Sequence, residues 1–180
     1  MYSKLILLLF ICFATTTVEE ETIEWREDHK LQWSDFKGVV DTNSDAVALT
    51  ASGITFSFSL RQSNDRYTGF ESKVVAHFYP NKSWYLKDRG NDHVLAHEQL
   101  HFDITELHVR QLRYGIAQLR VSQSIKEELQ ALHKAANENL ANMQRAYDAQ
   151  SQHSINEEQQ ALWSQFVKEE LKKFEAYRSK

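Results

Sequence analysis

The chain changes its hydrophobic period once, near Gly90, and that switch constrains the fold more than any other feature. Beyond Gly90 there is no proline, and apolar residues recur every three or four positions. That is the signature of helices with one buried face. Ile125, Leu129, Leu132, Ala136, Leu140, Met143 and Tyr147 form one such stripe. Ile155, Leu162, Phe166, Leu171 and Phe174 form a looser one on a last helix. Before Gly90 the pattern is different. Ile54 to Leu60 alternates apolar and polar residues, as a half-buried strand does. Lys73 to Tyr79 predicts a second strand, stopped by Pro80, with a polar turn over Gln62 to Gly69 between the two. Ile23 to Trp25 and Leu31 to Trp33 predict short strands, with a turn over Asp35 to Gly38. The expected fold is therefore α+β, a small N-terminal antiparallel sheet followed by three helices in one domain.

The first of those helices carries His97-Glu98-Gln99-Leu100-His101, an H-E-x-x-H motif. Residues four apart are neighbours on one helix face, so His97 and His101 can aim at one zinc ion (Zn2+). Glu98, beside the first ligand, is placed to act as a general base on water, which zinc brings from a pKa of about 15.7 to roughly 7. The competing reading is a chance match on an ordinary charged helix. Val94, Leu95, Leu100, Phe102, Ile104 and Leu107 make the helix apolar on more than one side. Two histidines and a glutamate buried with it need partners, and a metal is one. Asp103 places a charge where zinc-peptidase signatures usually have an apolar residue.

Catalytic zinc usually takes three protein ligands and keeps one position open. Glu106 lies about 180° around the helix from His97 at 3.6 residues per turn, and faces away. His108 returns to the histidine face but roughly 10 Å further along the axis than His101. His93 sits about 12 Å from His101 along the axis and suits a helix start. The extended motif with a third histidine is absent, because Ile104 and Leu107 occupy its Gly and His positions. The third ligand must then come from elsewhere. Tyr147 to Asn156 predicts a break between helices, and His153 in that break ranks first, with Asp148 and Glu138 behind it and His133 also in the preceding helix.

Met1 to about Thr17 has the build of a secretory signal peptide, leaving residues 18–180 as the mature domain. Lys4 supplies the positive charge, Leu5 to Phe13 the apolar stretch and Ala14 to Thr17 the small residues. That apolar run is too short to span a bilayer, so no stable membrane insertion is expected after cleavage. Cys12 is the sole cysteine, so the mature chain would have no disulfide and any zinc would take nitrogen and oxygen ligands. The net charge of −4, with both signs interspersed, argues against a nucleic-acid partner.

The stretches Ile23-Glu24-Trp25, Leu31 to Gly38, Ser83-Trp84 and above all Leu95 to Ile104 resemble a bacterial family of unknown function described as secreted zinc-dependent proteases. Tyr147-Asp148, His153-Ser154, Asn156, Gln160 and Trp163 resemble that family's later motif, with Ser151 where the family tends to have Thr. The resemblance covers most of the mature chain. It implies a zincin-like metallopeptidase, secreted or periplasmic, acting on a peptide or protein substrate. His97, His101 and His153 would bind zinc and Glu98 would be the catalytic base. In zinc peptidases of this build a sheet edge beside the metal helix takes substrate as an added strand, and Lys73 to Tyr79 is the strand nearest the motif in sequence. The alternatives are a non-proteolytic zinc-binding envelope protein on a peptidase-like fold, and a helical interaction protein with a chance motif.

Overall fold

Alternation and helical periodicity produce the architecture they predict. A computed structural model describes residues 20–179; the signal-peptide assignment over residues 1–17 lies outside them. The elements run β1 (Ile23–Glu24), β2 (Ala48–Leu49), β3 (Ser52–Ser63), β4 (Arg66–Phe78), β5 (Trp84–Tyr85), α1 (Asp92–Ala117), α2 (Ile125–Ser151) and α3 (Glu157–Lys173). Strands β1, β4 and β3 form an antiparallel sheet in that order, and β2 pairs with β5 in a separate two-stranded ribbon.

The β3–β4 hairpin is longer than the sequence predicts. Its connection is only Asn64-Asp65, with φ of 47° and 59°. Two left-handed residues match the right-handed twist of the flanking strands, and Asn and Asp tolerate that conformation better than other side chains. The pairing thus continues through most of the polar stretch from Gln62 to Gly69, with an irregularity at Arg61/Gln62. β4 is also the central strand, flanked by β1 and β3. The expectation that Lys73 to Tyr79 offers a free edge is therefore corrected.

Leu31 to Trp33 is not a strand. Trp33–Asp35 forms a 3-10 turn in which Asp35 accepts from the Gln32 amide at 2.8 Å. Leu31 instead donates its amide to Gln99 Oε1 at 2.8 Å, which ties the N-terminal segment to α1.

α1 starts at Asn91, whose side chain accepts from the Val94 amide at 2.9 Å and caps one of the free donors of the first turn. The helix is sandwiched. Phe102, Val109 and Leu112 pack towards the sheet with Val74, Ala76 and Phe78. Leu100 and Ile104 pack on the other side with Leu140, Tyr147 and Val167. This explains why α1 is apolar on more than one side. Asp103 finds its role here: it accepts from Trp25 Nε1 at 2.7 Å and Gln99 Nε2 at 2.8 Å, with Lys30 at 3.6 Å. The charge is a tether for the N-terminal segment, away from the histidines.

The stripe on α2 is buried at Ile125, Leu129, Ala136, Leu140 and Tyr147, as expected. The stripe on the last helix is buried only in part: Ile155, Leu162 and Phe166 are exposed, while Leu171 packs with Val167 and Trp163, and Gln160 is buried. No helix among the described residues is long and apolar enough to cross a membrane.

His108 is buried and its Nε2 has no partner. Burial pushes its pKa down to about 4 from 6.5, because the charged ring loses its water. The unfolded chain therefore binds a proton that the folded chain refuses between those values, and stability falls as pH drops from 6.5 towards 4. Fully developed, the loss is on the order of 3 kcal/mol. We expect His108→Leu to lose less stability than wild type between neutral pH and pH ~4.5 in urea melts; parallel losses would contradict this account of His108.

Candidate metal centre

The two motif histidines and one carboxylate meet between α1 and α2. His97 Nε2 and His101 Nε2 lie 3.2 Å apart. Asp148 Oδ1 is 3.3 Å from the first and 2.9 Å from the second. Tetrahedral zinc bonds of about 2.0–2.1 Å place their donor atoms roughly 3.3 Å apart, so this spacing suits one ion. His97, His101 and Asp148 are the residues among those described whose donor atoms converge in this way, all within 4.8 Å of one another.

The charges agree with that arrangement. Burial works to push Asp148 up, but hydrogen bonds from His101 and His97 outweigh it and hold the carboxyl well below the usual carboxylate range. Burial also opposes charge on His101, yet the bond to Asp148 and the nearby Glu98 charge raise its pKa above the ordinary value. A cation is therefore favoured between these groups, whether a proton or a metal ion.

Glu98 is buried, and its Oε2 has no hydrogen-bond partner. A buried carboxylate oxygen without a partner is costly, and it needs a donor that the protein itself does not supply. Glu98 opens into a cleft of about 340 Å³ lined by Ala46 to Thr50, Ser52, the two histidines, Gln144, Asp148, His153 and Ser154. Thr50 Oγ1 donates to the Glu98 carbonyl at 3.2 Å and fixes that wall to α1.

His153, ranked first from the sequence, does not converge with the pair. Its side chain is 71% exposed, and its Nδ1 lies 3.7 Å from Asp148 Oδ1. The physical reason is where α2 ends. The helix continues through Tyr147 and Asp148 to Ser151, so Asp148 remains on the helix face turned to α1. Gln152, His153 and Ser154 then take φ of 50°, 52° and 75°, a left-handed run that carries His153 to the rim of the cleft. Ser154 O is held there by His93 Nε2 at 2.7 Å. The other candidates stand apart. Glu138 is exposed and pairs with Lys134 at 3.8 Å. His133 packs on Phe56 with ring centroids 4.9 Å apart. Glu106 faces away, as its helix angle requires, and is bound by Arg110 at 2.9 Å.

Sequence reasoning missed Gln144 and the chemical setting of Tyr147. Gln144 bonds His101, and Tyr147 stacks on His97 with ring centroids 4.5 Å apart. Both sit with Asp148 at helical spacing on one face of α2, so a polar group inside an otherwise apolar stripe was the available signal.

No curated protein and no solved structure matches the chain. One protein family does: residues 28–154 match the family described as "Bacterial protein of unknown function (DUF922)", a span that contains the motif helix, Asp148 and His153. The chain belongs to this bacterial family of unknown function.

Proposed function

We propose that the protein is a secreted or periplasmic zinc-dependent metallopeptidase. The observation that carries this reading is the convergence of His97, His101 and Asp148 beside the unpartnered carboxylate of Glu98, in a cleft open to a peptide. Two neutral imidazoles and one carboxylate are a donor set that suits zinc and leaves a coordination position free. Zinc held there supplies a Lewis acid that lowers the pKa of water and polarises a carbonyl. Glu98 accepts the proton lost by the attacking water and returns it to the leaving amine. Burial, then the Glu98 and Asp148 charges, raise the Tyr147 pKa far above the ordinary range, so its hydroxyl keeps its proton.

The cleft wall gives the substrate a place to lie. Among the described residues β2 pairs with β5 on one side and with no strand on the other. Leu86 N donates to Val47 O at 2.8 Å, so the alternation of an antiparallel ladder turns the Ala48 peptide groups outward. An extended peptide adding to that edge would lie in the cleft that Ala48 and Leu49 share with Glu98. A purely structural or carrier zinc site has no use for the Glu98 carboxylate, which favours the enzyme over the non-proteolytic envelope protein.

The test is cleavage of an unfolded protein mixture by the zinc-loaded mature chain, read as new termini by mass spectrometry, with Glu98→Gln as the control. New termini that vanish on chelation and return with zinc support the proposal. Their absence at any zinc loading would overturn it.

A further inference from the structure

Gln144 precedes Asp148 by one helical turn and lies on the same face of α2. Its amide grips one histidine twice. Oε1 pairs with His101 Nδ1. Nε2 donates to the His101 carbonyl at 2.9 Å and reaches Thr105 Oγ1 at 3.4 Å. The second histidine is held differently. His97 Nδ1 is buried without a partner, and its ring lies against Tyr147 at an interplanar angle of 27°.

A histidine ligand whose far nitrogen donates to a fixed acceptor has its tautomer and ring rotation set. Amide oxygens accept and amide nitrogens donate, so the Gln144 geometry leaves one arrangement. Oε1 must take the proton on His101 Nδ1, because Nε2 is committed to a carbonyl that can only accept. We propose that Gln144 is the positioning residue of the metal centre: it holds His101 as the Nδ1–H tautomer, with the Nε2 lone pair directed at the space shared with His97 and Asp148. This rests on the zinc reading of those three residues.

The choice of an amide has a chemical consequence. A carboxylate at this position would also accept from Nδ1, but it would add a second negative charge beside Asp148. Gln144 orients the ring and adds none, so the ion keeps more of its power to polarise a carbonyl.

The experiment compares wild type, Gln144→Met and Gln144→Glu. Zinc affinity is measured by competition with a chromophoric chelator, the coordination geometry by the visible absorption of bound Co2+, and packing by thermal melts of the metal-free proteins. Met fills similar space but accepts no proton, and Glu keeps the acceptor. Gln144→Met is expected to bind zinc about 10–100-fold more weakly and to shift the Co2+ bands, as loss of an outer partner does. Gln144→Glu is expected to recover most of the affinity, although its second oxygen cannot donate to the His101 carbonyl and its metal-free form melts lower than wild type. Wild-type zinc affinity and Co2+ bands in Gln144→Met would overturn the inference while leaving the zinc reading intact. Equal weakening in both variants, tracking their metal-free stability, would also overturn it and assign Gln144 to packing. Failure of wild type to bind either ion would remove the zinc reading itself, and the positioning role with it.

Discussion

Asp148→Ala is expected to lose zinc, whereas His153→Ala is expected to keep it. Asp148 Oδ1 lies 2.9 Å from His101 Nε2 and 3.3 Å from His97 Nε2, and it stays charged under the influence of both rings. Removing it leaves two imidazoles, which hold zinc far less well than three ligands do. The expected loss of affinity exceeds the roughly 10–100-fold typical of an outer partner. His153 approaches only Asp148, at 3.7 Å, from an exposed position. Its removal should change affinity by no more than a few-fold. Chelator competition on the two variants checks the order. Thermal melts with zinc in excess provide a second reading, because a ligand at about 100 times its Kd stabilises the folded state by about 2.7 kcal/mol. That increment should survive in His153→Ala and disappear in Asp148→Ala. The reverse order would restore His153 as the third ligand.

Glu98→Gln is expected to retain zinc and abolish hydrolysis. The amide matches the carboxylate in size, so the buried position beside Thr50 is kept, but it cannot accept the proton of the attacking water. Proton transfer by a positioned group typically contributes about 10²–10⁴-fold, and the variant should lose at least that much of kcat. Zinc content and far-UV circular dichroism should match wild type. Cleavage at the wild-type rate would show that Glu98 is not the base.

Most of this site was legible because helical spacing is a strong rule. His97, Glu98 and His101 lie where a four-residue repeat puts them, and Glu106 faces away as its angle demands. His153 ranked above Asp148 because the sequence hides where α2 ends. No glycine or proline marks the end of α2, and the left-handed cap falls on Gln152, a residue that rarely takes it. Tyr147 and Asp148 therefore looked like the start of a break, when they are the last buried turn of a helix. A similar limit hid the cleft wall. Ala48–Leu49 is a two-residue strand, too short to show a period, and its partner Trp84–Tyr85 is reached only across the hairpin. Long-range pairing of short strands leaves almost no local trace. The exposed apolar residues of α3 show the opposite case. Leu162 and Phe166 fit a helical stripe, and Ile155 just before the helix extends it, but α3 buries Gln160 and Val167, with Gln160 Nε2 donating to the His93 carbonyl at 3.1 Å.

The central claim is that this chain holds one metal ion between α1 and α2. Elemental analysis of the mature protein beside a His97→Ala, His101→Ala double variant tests it most directly. The account predicts about one zinc per wild-type chain and almost none in the double variant. Equal zinc in the two proteins, or none in wild type after zinc loading, would contradict it.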